Sequence, residues 1–221
     1  MPLPQPPKAV IFDCDGVLVD SEGPTFALLL TNLAQHGLPL TLHALETDYI
    51  GGTIETVATR ARAAGANLPT TWVADFYTEM YAMLANGTPL MAGVPGLLDR
   101  LDAAKIPFAV ASNGSSQKMQ ITLGQHGLLP RFRAALSGPE IGAPKPAPDV
   151  FLAAAKACGA APAECVVIED SPTGARAALA AHIPCLGYAP HGPDTATAKA
   201  LTDLNIPLFH SMDDLPRLLT L

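Results

Sequence analysis

Four short stretches of this 221-residue chain carry side chains whose types and spacing could do chemistry. The first is Ala9-Val10-Ile11-Phe12-Asp13-Cys14-Asp15-Gly16, which puts two carboxylates one residue apart where an apolar run gives way to a turn. Turn chemistry alone accounts for such a pair. The chemical alternative is that Asp13 and Asp15 share a pocket, one attacking as a nucleophile while the other moves a proton. The second stretch ends a run with Ser112-Asn113-Gly114. Asn-Gly between apolar runs is a hairpin signal, but Ser115-Ser116-Gln117-Lys118-Met119 follows and opens a helix, with Ser115 or Ser116 as its N-cap. A hydroxyl, an amide and free backbone N–H groups beside a helix start make an anion cradle. The third stretch, Glu169-Asp170-Ser171-Pro172-Thr173-Gly174, reads as a helix entry with Ser171 as cap, or Asp170 as a second candidate, and Pro172 at the first helical position. Capping leaves Glu169 unexplained. The fourth is Lys145, one of six lysines, set among prolines in Pro144-Lys145-Pro146-Ala147-Pro148. Lone lysines usually sit in solvent, but a proline-stiffened backbone would hold this point charge where it can pair with Asp13 and neutralise a phosphate. Two carboxylate pairs meeting at one site repel unless a cation intervenes, and hard oxygen ligands beside a phosphate cradle point to Mg²⁺.

These groups need elements that bring them to one place. Continuously apolar runs at residues 9–12, 108–111, 134–136, 166–168 and 185–188 fit strands buried on both faces. Helical patterns at 95–104, 116–126, 149–158 and 173–182 alternate with them, which predicts an α/β fold with a Rossmann-like parallel sheet and right-handed crossovers. The rhythm breaks over residues 20–89, where helical periodicity runs without a convincing strand. Phe26, Leu29, Leu30 and Leu33 form one apolar stripe and Trp72, Phe76, Met80, Met83 and Leu84 another. An all-helical insertion is expected there, over the C-terminal edge of the first strand, leaving a core of residues 8–19 and 90–221 and a loose proline-rich arm at 1–7.

Composition narrows the partners. With 13 Lys+Arg against 20 Asp+Glu the net charge is −7, against the basic excess of a nucleic-acid binder. Hydrophobic residues make up 49% and charged ones 15%, which fits a folded chain and not a disordered one. The longest stretch without Asp, Glu, Lys or Arg, residues 23–45, is interrupted by Asn32, Gln35, His36, Gly37 and Pro39, so no membrane span is expected. No secretory pattern opens the chain, and the expected location is cytoplasmic. Cys14, Cys158, Cys165 and Cys185 form no C-x-x-C, and the six histidines are scattered, so neither a zinc site nor a disulfide framework is expected.

Taken together, Asp13-Cys14-Asp15-Gly16-Val17-Leu18-Val19-Asp20-Ser21, Ser112-Asn113-Gly114, Lys145-Pro146 and Glu169-Asp170-Ser171-Pro172-Thr173-Gly174 closely resemble the haloacid dehalogenase superfamily. The resemblance runs from about residue 8 to 219, in the branch containing β-phosphoglucomutase, phosphoglycolate phosphatase and small sugar-phosphate phosphatases. It implies a Mg²⁺-dependent phosphatase of a small phosphorylated sugar, polyol or sugar acid. Asp13 would be the nucleophile that forms an aspartyl-phosphate, and Asp15 the general acid and base. Mg²⁺ would be held by Asp13, the Asp15 carbonyl and Asp170, with Glu169 direct or through water, while Ser112, Asn113, Gly114 and Lys145 would hold the phosphoryl group. The insertion resembles the family's helical cap, which closes over substrate. Gly51, Gly52, Thr53, Glu22 and Lys118 are substrate-binding candidates by position alone.

The nearest competitor is a phosphosugar mutase. That branch places a histidine about a dozen residues after the nucleophile, where this chain has Thr25, and basic residues around the cap loop, which here reads Tyr49-Ile50-Gly51-Gly52-Thr53-Ile54-Glu55. Among phosphatases, the stretch from Ser112 to Met119 is similar to that of bacterial 6-phosphogluconate phosphatases. Dehalogenase activity is disfavoured, because Asp15 is present. A non-catalytic Mg²⁺ and phosphate regulator of the receiver kind is disfavoured too, because Lys145 precedes Glu169-Asp170 and a receiver has no helical insertion.

Overall fold

The computed structural model describes residues 3–49 and 53–221. Six strands form one parallel sheet: β1 (Ala9–Phe12), β2 (Phe108–Ser112), β3 (Ala135–Ser137), β4 (Cys165–Glu169), β5 (Cys185–Tyr188) and β6 (Leu208–Phe209), in the order β3-β2-β1-β4-β5-β6. The chain builds outward from β1 through β2 to β3, then crosses to the other side of β1 for β4. That reversal leaves a crevice at the carboxyl ends of β1 and β4, the usual ligand position in an open α/β sheet.

Alternation within β1 explains why its apolar run is unbroken. Val10 and Phe12 belong to one buried cluster with Leu98, Val110, Met119 and Ile168, while Ala9 and Ile11 belong to another with Phe151, Val167 and Ala178. Helices α5 (Val94–Ala103) and α6 (Ser116–Gly124) supply the first cluster. The second is supplied by α7 (Asp149–Ala157), α8 (Pro172–Ala180) and α9 (Ala196–Asp203). A last short helix, α10 (Leu215–Leu218), adds Leu215 to the first. Neither α9, α10 nor β6 is anticipated by the apolar runs in the sequence; β6 has only two residues.

The chain forms two compact units, residues 1–20 with 89–221, and residues 21–88. It leaves the first unit at Asp20 and rejoins it at Pro89, where the Asp20 N–H donates to the Pro89 carbonyl at 2.9 Å. The second unit comprises α1 (Glu22–Gln35), α2 (Leu42–Asp48), α3 (Ile54–Ala63) and α4 (Trp72–Ala85). Its core is built from Leu29, Leu33, Leu45, Val57, Phe76, Met80 and Leu84. Trp72 stacks on Phe76 at 5.4 Å between centroids and donates its indole N–H to Asn32. The Met and aromatic stripe is therefore this unit's own packing.

Of the arm expected at residues 1–7, Leu3 packs against the first cluster and Pro7 is buried, so the described part is anchored by its apolar side chains; Met1 and Pro2 lie outside the described residues. Among the described residues no helix is long and apolar enough to cross a membrane.

Candidate active site

Asp13 is the first residue beyond β1, and its N–H donates to the Ile168 carbonyl of β4 at 2.9 Å. This carries it to the switch between the two halves of the sheet. Its Oδ1 accepts from Lys145 Nζ at 2.5 Å, and the same ammonium donates to Glu169 Oε1, at the end of β4, at 2.8 Å. Lys145 also lies over the Phe151 ring, 4.6 Å from its centroid. All three charged groups are buried. One ammonium thus serves two carboxylates, and the shortage is visible at Asp13. Burial pushes the Asp13 carboxyl up to about 7 against the pull of Lys145, with Glu169 and Asp15 adding to the rise. For Lys145, burial acts to lower the pKa, but Asp13 and Glu169 outweigh it and hold the proton above the usual lysine range.

The other oxygen of Glu169 is also occupied: Oε2 accepts from the Ser171 N–H at 2.7 Å and from the Ser171 hydroxyl at 2.9 Å. Ser171 Oγ in turn accepts from the Gly174 N–H at 3.0 Å, so the N-cap of α8 and the carboxylate that holds Lys145 form one network. Gly174 is required there by space. A Cβ on it would lie 1.5 Å from Glu169 Oε1.

Asp15 occupies the mouth. Its Oδ1 pairs with Lys118 Nζ at 2.7 Å, with the two side chains 20% and 14% exposed. Its Oδ2 and Ser112 Oγ lie 3.3 and 3.2 Å from where a Gly114 side chain would begin. Ser112 ends β2, and its hydroxyl accepts from the Gly114 N–H at 2.9 Å. Ser115, not Ser116, caps α6, accepting from the Lys118 N–H. Asp170 closes the group from the β4 side. A Cβ on Gly16, whose φ is +77°, would lie 2.0 Å from Asp170 Oδ2, so the carboxylate abuts the loop that begins with Asp13. Four carboxylates therefore meet two ammoniums, a formal excess of two negative charges.

Residues 7–182 match the haloacid dehalogenase-like hydrolase family. The chain belongs to that family. It is 32% identical to hexitol phosphatase A of Escherichia coli, over 94% of this chain and 93% of that protein, and 29% identical to the 6-phosphogluconate phosphatase of the same organism, over 96% and 94%. It is 33% identical to the protein SUPPRESSOR OF QUENCHING 1, chloroplastic, of Arabidopsis thaliana over 81% of this chain, which spans only 17% of that much longer protein. A HAD family hydrolase from Deinococcus radiodurans, solved with phosphate and sodium bound, superposes with a TM-score of 0.80 at 32% identity, covering 97% of this chain and 96% of that one.

Within this hydrolase several of the sequence-derived candidates have partners inside the protein. Glu169, expected to meet the metal directly or through water, accepts from Lys145 on one oxygen and from Ser171 on the other. Asn113, expected on the phosphoryl group, spends its side chain on the Lys145 backbone: Nδ2 donates to the Lys145 carbonyl at 3.1 Å and Oδ1 accepts from the Lys145 N–H at 2.8 Å. Lys118 faces Asp15. Thr53 caps α3, its hydroxyl accepting from the Thr56 N–H. Gly51 and Gly52 lie outside the described residues, and Glu22 is an exposed first-turn residue of α1. Sequence reasoning missed Glu140, which binds Ser116 through both carboxylate oxygens. A lone glutamate in a loop carries no signal of its own.

Proposed function

We propose that the chain, a phosphatase of the haloacid dehalogenase-like hydrolases, is Mg²⁺-dependent and cleaves a small phosphorylated sugar, polyol or sugar acid through an aspartyl-phosphate on Asp13. The observation that carries this reading is the buried Asp13 carboxyl at the sheet's switch point, fixed by Lys145 and Glu169, with Asp15 alongside over the Ser112–Gly114 turn. In the first step an Asp13 oxygen attacks phosphorus and the bond to the alcohol oxygen breaks, with Asp15 donating a proton to that oxygen. In the second, Asp15 takes a proton from water as the water oxygen attacks phosphorus, releasing orthophosphate and restoring Asp13. Ser112 and Lys145 hold the charged phosphoryl oxygens, and this positioning and neutralisation is what phosphoryl transfer chiefly needs.

The donor set suits Mg²⁺. Among the described residues no group of three His, Cys, Asp or Glu side chains is placed to hold a metal ion by itself. Mg²⁺ is instead usually held by one or two carboxylates, with water and substrate phosphate completing the octahedron. Asp13, the Asp15 carbonyl and Asp170 would hold it, and bound there it supplies charge to offset the two-carboxylate excess and the substrate phosphate.

The mutase alternative finds no support at Thr25, whose hydroxyl is buried and donates to the Ser21 carbonyl at 2.7 Å. The names of the hexitol and 6-phosphogluconate phosphatases support a polyol or sugar-acid phosphate as substrate.

The test is phosphate release from an aryl phosphate and from a panel of sugar, polyol and sugar-acid phosphates. Asp13→Asn should cut turnover by ~10⁴-fold or more, the scale on which losing a nucleophile acts. EDTA should abolish it, and Mg²⁺ restore it. Full activity in Asp13→Asn sinks the nucleophile assignment, and activity that survives EDTA removes the metal.

A further inference from the structure

The loop that delivers Lys145 is tied to the loop after β2 at three points. The Gly138 N–H donates to the Ser112 carbonyl at 2.8 Å. Asn113 and Lys145, 32 residues apart, exchange two hydrogen bonds between one side-chain amide and the backbone N–H and C=O of one residue. Glu140 Oε1 accepts from the Ser116 N–H at 2.7 Å, and Oε2 from the Ser116 hydroxyl at 2.5 Å. Those bonds hold the Glu140 carboxyl below the usual glutamate range, so it is ionised where it meets the first turn of α6.

Asn113 and Glu140 are both exposed, so neither residue is kept by packing. Their bonds join two segments that no strand pairing joins beyond Ser112 and Ser137, where the β2–β3 ladder ends. What lies at the far end of the tie is the Lys145 main chain. Its ammonium reaches between Asp13 and Glu169, at 2.5 and 2.8 Å, from wherever that main chain is held.

We infer that Asn113, braced by Glu140, is a positioning residue: it sets the Lys145 backbone so that Nζ lies between Asp13 and Glu169, and acts on the reaction through Lys145 without touching the phosphoryl group. This rests on the phosphatase reading above and on the place of Lys145 in it.

The experiment is a pair of double-mutant cycles on the full chain with Mg²⁺ and a fluorogenic aryl phosphate. Asn113→Ala should lower kcat by roughly ten- to a hundred-fold, the scale of a 1 Å misplacement. Glu140→Gln, which weakens the brace without emptying it, should lower kcat less. In a Lys145→Met background each substitution should cost less than about twofold, because the group being positioned is gone. If Lys145→Met turnover falls below detection, the same cycle is read in the Kd of orthophosphate by calorimetry, with the same pattern expected. If Asn113→Ala does not fold, Asn113→Asp replaces it, keeping the acceptor oxygen and losing the donor. Wild-type activity in Asn113→Ala overturns the inference. So does a full loss repeated in the Lys145→Met background, since Asn113 would then be acting on substrate itself. Wild-type activity in Lys145→Met is the distinct result that overturns the functional reading beneath it.

Discussion

Two lysine–carboxylate contacts lie at the same sheet edge and are built on opposite terms. Lys145 is buried with a 3% exposed side chain between two carboxylates, one of them tied further to a helix cap. Lys118, on the first turn of α6, meets one carboxylate at the mouth, with both partners partly in water. Desolvation strengthens the first set of interactions and makes each member costly to remove, while solvent competes for the second. The inner contact therefore has the character of a fixed part, and the outer one that of an exchangeable partner, as the proton transfer proposed for Asp15 requires.

The largest expected effect comes from breaking the inner contact. Lys145→Met leaves Asp13 and Glu169 buried without a countercharge, a loss of about 3–5 kcal/mol when one partner of a buried pair is removed. Urea or thermal unfolding checks it, beside a fall in turnover of about 10²–10³-fold for a lost charge-stabilising group. The pH dependence has a definite sign. In the metal-free protein Asp13 is raised from 3.8 to about 7, so the native state keeps a proton that the unfolded chain has released. That contribution is complete below the unfolded pKa and is lost as pH rises through the folded one. Without Lys145 the carboxyl rises further, so Lys145→Met should be most destabilised, relative to the wild type, on the alkaline side. A variant equally destabilised at pH 5 and pH 8 would contradict this.

Next in size is Gly174→Ala, which attacks the inner contact from behind. Its Cβ would fall 1.5 Å from Glu169 Oε1, and that carboxylate is 1% exposed and bonded on both oxygens. With no room to yield, Glu169 must give up Lys145 or Ser171. Overpacking of this kind costs about 1–3 kcal/mol, and turnover should fall with stability. An Ala variant as stable and active as the wild type would show that Glu169 is not held as tightly as its hydrogen bonds imply.

The contrast also marks what sequence could reveal. Strand ends, helix starts and the four motifs follow local rules of apolar runs and caps, so Asp13, Asp15, Ser112, Lys145 and Asp170 can be read from the chain and do gather at one edge. The helical insertion, expected at residues 20–89, emerges as the unit 21–88. Hydrogen-bond partnership across distant loops has no local signature. Nothing local to Glu169 shows that it accepts from Ser171 and Lys145, and nothing local to Asn113 shows that its amide meets the backbone N–H and C=O of a residue 32 positions away. The two-residue β6 is invisible because its pairing with β5, not its own composition, makes it a strand.

The smallest effect, and the sharpest test of the comparison, is Lys118→Met. The side chains of this pair are 14% and 20% exposed, so some solvent reaches them and losing Lys118 should lower the melting temperature less than losing Lys145. Turnover should fall by roughly tenfold or less, because Asp15 stays over Gly114 and loses only the cation that orients one of its oxygens. Measured side by side, Lys145→Met should lose more than Lys118→Met in both stability and turnover. If Lys118→Met proved as destabilising as Lys145→Met, the mouth would be as rigid as the interior, and the contrast between a fixed inner contact and an exchangeable outer one would fail.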